Sequence, residues 1–203
     1  YGRDQIQAEG ITILENPDYK NGSALNSLFV GKEKMNNGFI MLYSDILIED
    51  IIIKELMNRR ENIILVADNS TQYHEPQEGN TLDFIIAKHQ NKPARREIRF
   101  ASENVVAKIG SKINPVTASH EFIGLARFSK TGAEQLIETY KDVVKNYQGQ
   151  FQESEDISQL NFTDLIQEMI DRGFMVHYME IHKGWLEIHN AEHIALAEKS
   201  FNE

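Results

Sequence analysis

Three histidines and two glutamates surround a Lys-Gly pair in the segment MVHYMEIHKGWLEIHN, residues 175–190. Histidine and carboxylate side chains ligate metals and act as acids and bases in enzymes. Polar and apolar residues alternate here, which predicts two strands. If the Lys-Gly pair forms a two-residue hairpin loop, Glu180 lies directly opposite Glu187. Like charges across a ladder repel, so either the register differs or a cation, a proton or a basic neighbour neutralises one carboxylate.

Two metals suit this segment to different degrees. A zinc site built from His177, His182 and His189 is disfavoured, because alternation places the first two on opposite faces of their strand and the spacing matches no structural zinc motif. A Mg²⁺ ion bound by one or two carboxylates and substrate phosphates is chemically more natural. The candidate ligands are Asp45 and Glu187, and Glu187 shares its strand face with His189.

Asp45 and Asp68 each lie near the end of a nearly continuous apolar run, GFIMLYSD (38–45) and NIILVADNS (62–70). Such runs are typical of strands buried on both faces of a parallel sheet, and a helix is predicted between them. In open α/β sheets, ligands bind beyond the carboxyl ends of the strands. We therefore expect both carboxylates at a binding site, although each could instead cap the helix or turn that follows it.

The remaining segments complete an α/β layout, in which the apolar period changes to two in the middle of the chain. The predicted helices cover 24–35, 47–60, 130–147, 162–172 and 191–201. The other predicted strands are at 11–17 and in the β-rich middle part, where the segments are LDFIIAKH, REIRFAS, NVVAKIGSKI and EFIGLARFS.

Composition limits the classes of function. The 203 residues include no Cys, which excludes disulfides, thiolate zinc sites and cysteine nucleophiles and favours a reducing compartment. A net charge of -10 argues against nonspecific nucleic-acid binding, which needs a basic face. No apolar run approaches the roughly 18 residues of a membrane span and no signal-peptide pattern is present, so a cytoplasmic protein that binds no membrane is expected. The chain opens at Tyr1 without Met, and we expect it to be a fragment.

Four segments together resemble the small-molecule nucleotidyltransferases: GFIMLYSDILIED, NIILVADNS, HEFIGLARFSKTGAEQL and GWLEIHNAEHIALAE. Within that family the likeness is greatest to the phosphonate cytidylyltransferase domains often fused to phosphoenolpyruvate mutase, followed by the phosphocholine cytidylyltransferases. The resemblance implies a doubly wound, mostly parallel, Rossmann-like mixed sheet with a β-rich insert. It divides a single domain into a nucleotide-binding α/β part (1–80), a β-rich acceptor-binding part (81–129) and a part with helices and the metal-site strands (130–203).

The resemblance also implies a function, namely Mg²⁺-dependent transfer of CMP from CTP, or of another nucleotide from its triphosphate, to a small phosphonate or phosphate acceptor. Asp45 and Glu187 correspond to the family's catalytic Mg²⁺ carboxylates. His189, like His193, stands where acidic residues are frequent, and it is a third metal ligand, a substrate contact or a surface residue. The implied nucleotide-binding residues are Ser23 and Ser27 in the loop NGSALNSLF, Tyr43, and Ser44, which replaces a common Gly.

The acceptor is expected to contact the β-rich part and the neighbouring strand ends. Lys88, Lys108 and Lys112 are candidate partners of its anionic group, although a solvated strand face explains each at least as well. Glu121 could bind an amine of the acceptor or pair with a Lys or Arg of the protein. The predicted substrate-binding residues are Asp68, Lys88, Glu121 and Trp185.

Two other functions stay open at this stage. A sugar-1-phosphate or phosphocholine nucleotidyltransferase would use the same scaffold, and a choline site would need an aromatic cage, for which Tyr43, Tyr73, Tyr178 and Trp185 are candidates. The other alternative is a non-catalytic binding or regulatory domain, because no segment matches the family's Gly-rich loop that cradles the triphosphate. That loop belongs to a first strand-helix unit. Either the unit lies upstream of Tyr1, or the chain has lost the activity, and the chain as given should bind nucleotide poorly. The resemblance also leaves open a fused or partner phosphoenolpyruvate mutase domain.

Overall fold

The computed structural model describes residues 9–20, 22–70, 82–88, 104–188, 190, 193–195 and 197–198. The predicted strand REIRFAS, Tyr73, His189 and much of the predicted last helix lie outside these residues. The strand predicted over 11–17 is wrong, because these residues pair with no described strand and Ile11 and Leu14 stay about half exposed (54% and 48%).

The described residues form four α-helices, two short 3-10 helices and eight strands. The helices are α1 (Ala24–Val30), α2 (Asp50–Asn58), α3 (Lys130–Asn146) and α4 (Phe162–Asp171), with short 3-10 helices at Lys32–Lys34 and Ile157–Gln159. The strands are β1 (Phe39–Leu42), β2 (Ile46–Ile48), β3 (Ile63–Asp68), β4 (Phe84–Ala87), β5 (Val106–Gly110), β6 (His120–Phe128), β7 (His177–Ile181) and β8 (Trp185–Glu187). The predicted helix over 47–60 begins only at Asp50, because Ile46–Ile48 pair with β8 instead.

A mixed six-stranded sheet forms the centre of the molecule. Its order is β5-β4-β6-β3-β7, and β1 also pairs with β6. Strands β1, β3 and β4 all run antiparallel to β6, and β7 runs parallel to β3. Four strands, β1, β3, β4 and β7, therefore run in one direction, as predicted for a mostly parallel sheet. However, β6 runs in the opposite direction and lies between β3 on one side and β1 and β4 on the other. The start of β5 also reaches the free edge of β7, where Val105 bridges His177.

The strands on either side of Lys183-Gly184 do not form the hairpin that the sequence analysis considered. Both residues have the positive φ angles expected of such a turn, 64° and 82°. However, β7 pairs with β3 in the main sheet, whereas β8 pairs with β2 in a separate two-stranded sheet. The turn therefore moves the chain from one sheet to the other, and Glu180 and Glu187 do not face each other across a ladder.

Helices cover both faces of the main sheet, which is why β3 is buried along its whole length. On one face, α1, α3 and α4 pack around Phe128, Leu136 and Leu165. On the other face, α2 contributes Leu56 to a smaller cluster. Each fully buried leucine or phenylalanine contributes roughly 1.5–3 kcal/mol of transfer free energy, so these two layers fix the sheet on which the strand ends converge.

A bulge at Gly124 in β6 contacts Tyr43, the residue that follows β1. Between Leu65 and Ala67 of β3 the pairing register on β6 jumps from Ala126 to Phe122, which leaves extra residues in β6. Gly124 lies in that bulge with φ of 78°, and its carbonyl accepts a hydrogen bond from the Tyr43 N–H at 2.9 Å. A Cβ atom at this position would overlap the Tyr43 ring. Only glycine therefore allows both the backbone conformation and the ring contact.

The close contact predicts a large effect of Gly124→Ala. We expect a loss of roughly 3 kcal/mol or more in the free energy of unfolding, from the left-handed backbone and from the overlap with the Tyr43 ring. Gly149→Ala is the matched control, because Gly149 also has a positive φ (74°) but its Cβ would meet nothing within 4 Å. Its expected cost is about 1 kcal/mol.

Chemical denaturation of the single variants and of a Tyr43→Ala/Gly124→Ala pair measures these terms. In the Tyr43→Ala background, Gly124→Ala should cost clearly less than in the parent protein, because the overlapping ring is gone and only the Cβ contact at 3.0 Å remains beside the backbone term. Equal costs at Gly124 and Gly149 would contradict the proposed contact.

Candidate active site

The predicted catalytic carboxylates lie on neighbouring strands. Asp45 precedes β2, Glu187 ends β8, and Ile46 is the register partner of Glu187. The Ile188 N–H donates to the Asp45 carbonyl at 2.6 Å, which extends the pairing past both carboxylates. Burial raises the pKa of the Tyr43 phenol well above its usual range, and the charges of Asp83, Asp45 and Glu187 raise it further. Asp45 and Glu187 therefore act electrostatically on the same hydroxyl.

A small cavity of about 40 Å³ opens beside Tyr43. This volume accommodates one or a few water molecules, or a comparably small cation. Three of its lining side chains are carboxylates, and none of the described residues that line it is basic. The lining residues are Tyr43, Ile46, Leu82, Asp83, Glu121, Phe122, Ile123, Trp185 and Glu187.

Asp83 is a cavity residue that the sequence analysis missed. It lies directly before β4, where an acid is easily interpreted as part of the preceding polar turn. Burial raises the pKa of its carboxyl to about 6, with smaller increases from Glu153 and Asp164 and an opposing hydrogen bond from Thr163. The sequence signal for Asp83 is its place at the start of an apolar strand. That place alone does not indicate that other buried acids lie opposite it.

Glu121, which the sequence analysis listed among the predicted substrate-binding residues, also lines this cavity. It is only 9% exposed and lies in β6, where its register partners are Asp68 of β3 and Phe84 of β4. Two acids are thus paired across adjacent strands, which is unfavourable unless hydrogen bonds or cations compensate.

Asp68 lies beside this site with its carboxylate saturated by hydrogen bonds. Asp68 is only 3% exposed. It accepts hydrogen bonds from the Ser70 N–H and the Ser70 hydroxyl, both at 2.8 Å. It also accepts from the Trp185 indole N–H at 2.7 Å and from the Lys183 N–H at 3.2 Å. Burial alone would raise the pKa of Asp68, but these hydrogen bonds, with that of Trp185 the largest, hold it below its usual value. Its predicted contact with substrate stays a prediction.

Several other predicted residues do not line the cavity. Ser23 caps α1 by accepting from the Asn26 N–H, Ser27 accepts from Asn16, and Ser44 is exposed. The described contacts thus do not bring the two α1 serines to Tyr43, and their role in nucleotide binding stays a prediction.

The candidate cations of the β-rich part are exposed. Lys88 and Lys108 lie at the surface of β4 and β5, and the Lys112 ammonium donates to the Glu153 carbonyl at 2.6 Å. None of the three lines the cavity, so their role toward the acceptor anion also stays a prediction.

The described residues contain no group of three or more His, Cys, Asp or Glu side chains placed to hold a metal ion. His177 and His182 are separated by the length of β7, roughly 16 Å at the usual rise per residue, and His182 pairs with Asn69 at 2.7 Å. This separation argues against the histidine zinc site. Two carboxylate ligands remain, which is the number that Mg²⁺ commonly takes from a protein when substrate phosphates and water complete its shell.

Comparison with solved structures places the fold in a known class. The chain resembles the inositol-1-phosphate CTP transferase from T. maritima, with a TM-score of 0.58, 15% identity, and coverage of 89% of this chain and 60% of that one. For the CTP:phosphocholine cytidylyltransferase from Streptococcus pneumoniae the values are 0.59, 12%, 95% and 69%. For the nucleoside-diphosphate-sugar pyrophosphorylase from Vibrio cholerae RC9 they are 0.51, 17%, 86% and 64%. The described chain therefore has a nucleotidyltransferase-type mixed α/β fold.

Sequence comparisons add nothing further to this assignment. No family model matches the chain, and no curated protein matches it. The chain corresponds to about 60% of the length of the T. maritima structure. Among the described residues, none of the helices has the length and apolar character needed to cross a membrane.

The raised pKa of Asp83 predicts an unusual pH dependence of stability. A folded pKa of about 6 against an ordinary 3.8 means that the folded state binds more protons between these values. The free energy of unfolding should therefore fall as the pH rises through this window, by about 3 kcal/mol at most. Asp83→Asn removes this loss, so the variant should exceed the parent protein in stability at pH 7.5 and match it near pH 4.

Denaturant titrations without divalent metal at both pH values measure this difference. Asp142→Asn is the control with the opposite sign, because a hydrogen bond from Arg172 lowers the pKa of that exposed carboxyl. The hydrogen bond from Arg172 to Asp142 stabilises the folded state at neutral pH, and this stabilisation is lost as the pH falls through the pKa of Asp142 in the folded state. A stability difference between Asp83→Asn and the parent that is independent of pH would contradict the buried, ionised Asp83.

Proposed function

We propose that the protein is a Mg²⁺-dependent cytidylyltransferase that transfers CMP from CTP to a phosphonate or phosphate acceptor and releases pyrophosphate. The observation that carries the proposal is that Asp45, directly before β2, and Glu187, in the paired strand β8, both act electrostatically on the Tyr43 hydroxyl, within a nucleotidyltransferase-type fold. The solved structures of similar fold include enzymes named for CTP as a substrate, which supports the choice of nucleotide.

The reaction needs positioning and charge compensation more than a covalent nucleophile. An oxygen of the acceptor phosphonate or phosphate attacks the α-phosphorus of CTP, a new P–O bond forms, and the bond to the pyrophosphate oxygen breaks. When bound, Mg²⁺ supplies charge neutralisation for the reacting phosphates. Asp45 and Glu187 are the residues that would hold it, because their hard oxygen ligands suit this ion.

Tyr43 is suited to orient one reactant. Its raised pKa keeps the hydroxyl protonated at neutral pH, so the phenol can donate a hydrogen bond to a phosphate or ribose oxygen. Its backbone is fixed by the hydrogen bond to the Gly124 carbonyl, which limits the movement of the hydroxyl.

We further propose that the acceptor carries an amine. Asp83 remains in the cavity when Glu187 is assigned to the metal, and burial disfavours the charged form of its carboxyl. A primary ammonium group would fit the 40 Å³ and balance this charge. The trimethylammonium group of choline is considerably larger, so a phosphocholine acceptor would require the side chains to move apart.

Loss of either metal ligand should abolish most activity. We expect Asp45→Asn and Glu187→Gln each to lower kcat/KM for CTP by a factor on the order of 10² to 10³ in the full-length protein, because phosphate charge would no longer be neutralised. Steady-state release of pyrophosphate measures this loss. Asp50→Asn is the control, since Asp50 is an exposed residue of α2 whose ion pair with Lys54 is long, at 3.9 Å. Near-normal turnover in both ligand variants would refute the metal assignment.

The acceptor assignment is tested separately. Glu121→Gln should raise KM at least tenfold for an aminoalkyl phosphonate, because one charge-assisted hydrogen bond to the ammonium is weakened. It should have little effect on KM for a sugar 1-phosphate or for CTP. Initial rates with aminoalkyl phosphonate, phosphocholine and sugar 1-phosphate, each with CTP, UTP or GTP, determine the preferred pair. A clear preference for the sugar phosphate would contradict the amine, and absence of turnover and of nucleotide binding would indicate a non-catalytic domain.

A further inference from the structure

A single carboxylate connects the end of the main sheet to the strand that carries Glu187. The Oδ1 atom of Asp68 accepts hydrogen bonds from the Ser70 and Lys183 N–H groups, and Oδ2 accepts from the Ser70 hydroxyl and the Trp185 indole. Two of these donors belong to β3's own loop, and two belong to the segment that leads into β8. Asp68 therefore holds the two segments together.

The ladder of β8 is too short to fix the position of this strand by itself. Strand β8 is only three residues long, it lies outside the main sheet, and its ladder partner is the equally short β2. The turn before it contains two consecutive residues with positive φ, Lys183 and Gly184. An isolated pair of strands of this length has little stability of its own, so contacts outside the ladder must hold it.

The Trp185 indole supplies such a contact. It donates to Asp68 at 2.7 Å, and its ring also lines the acidic cavity, two residues before Glu187 on the same face of β8. The buried carboxylate thus acts on Glu187 through one side chain and two residues of extended backbone.

We propose that Asp68 is a positioning residue, which sets the place of Glu187 relative to Asp45 through its hydrogen bond to Trp185. This inference rests on the proposed function, since it assigns Glu187 to the metal. Hydrogen bonds behind a metal ligand typically change metal affinity 10- to 100-fold when removed. In this role Asp68 acts on the metal site through Trp185 and is not itself a metal ligand.

Asp68→Asn tests the hydrogen bond with almost no change in size. An indole N–H can only donate, so the amide group of Asn must present its oxygen either to Trp185 or to the two backbone N–H groups. In each orientation at least one of these N–H donors faces the amide NH₂. We expect the orientation that keeps both backbone N–H groups bonded, which releases Trp185.

Trp185→Phe separates this effect from the loss of a negative charge. The variant keeps Asp68 ionised and keeps an aromatic ring in the cavity, but it removes the indole N–H. Ser70→Ala is the matched control, because it removes another donor to the same Oδ2 atom without touching β8.

The readout is the affinity for Mg²⁺ alone, measured by calorimetry in every variant. In the variants that keep Trp185, the only tryptophan in the chain, its fluorescence provides a second measurement. We expect Asp68→Asn and Trp185→Phe each to weaken binding about tenfold or more, and Ser70→Ala to change it less than twofold. The double variant Asp68→Asn/Trp185→Phe should bind no more weakly than the weaker single variant, because both changes break the same hydrogen bond.

The possible outcomes separate the two proposals. Parent-like Mg²⁺ affinity in both single variants would overturn the positioning role and leave the proposed function intact. Absence of Mg²⁺ binding by the parent protein would overturn the proposed function and the positioning role with it. If Asp68→Asn fails to fold, as judged by circular dichroism, Trp185→Phe decides the question, and parent-like affinity in that variant overturns the proposal.

Discussion

The contact between the Tyr43 ring and the backbone of Gly124 is the constraint on which the candidate site depends. Because Gly124 has no side chain and a positive φ, β6 can bulge at this point and accept the ring over its backbone. The bulge separates two halves of β6. The first half presents Glu121 between β3 and β4, and the second half pairs with β1. The cavity lies where these two halves meet.

The same contact determines where the chain goes after β1. Tyr43 still bonds to Gly124, so the chain leaves the main sheet only beyond this residue and reaches Asp45 at the start of β2. The second carboxylate, Glu187, lies on β8, because the turn after β7 leads the chain out of the main sheet to that strand. Two excursions from the main sheet therefore meet in one short ladder, in which Asp45 and Glu187 lie one register position apart.

The parts of the fold that sequence predicts well are those with regular burial. The run NIILVADNS gave a strand buried on both faces, and α3 and α4 were predicted within one residue at each end, because their apolar positions recur on one face. The segment ITILENP also alternates, yet it pairs with no described strand. Alternation shows that a segment can form a strand but not that a sheet edge is available to it.

Pairing between distant segments was the part that sequence could not predict. The Lys-Gly turn has hairpin dihedrals, and a local rule therefore pairs the strands on either side of it. In the structure each of those strands finds a partner more than a hundred residues earlier in the chain, β3 for β7 and β2 for β8. For the same reason Asp45 and Glu187 could be matched only by the family resemblance, and Asp83 could not be placed at all.

The cavity shows why such a site is retained at a cost in stability. Burial of Asp83 near Glu153 and Asp164 destabilises the folded state at neutral pH, and a hydrogen bond from Thr163 compensates only in part. The described lining residues provide three carboxylates and no cation. Apolar side chains of similar size would fill the same space with less penalty. In a chain with a net charge of -10, anionic substrates are also repelled at long range. Under the proposed function, both penalties would decrease when a metal-bound nucleotide or an ammonium-bearing acceptor brought a cation into the cavity.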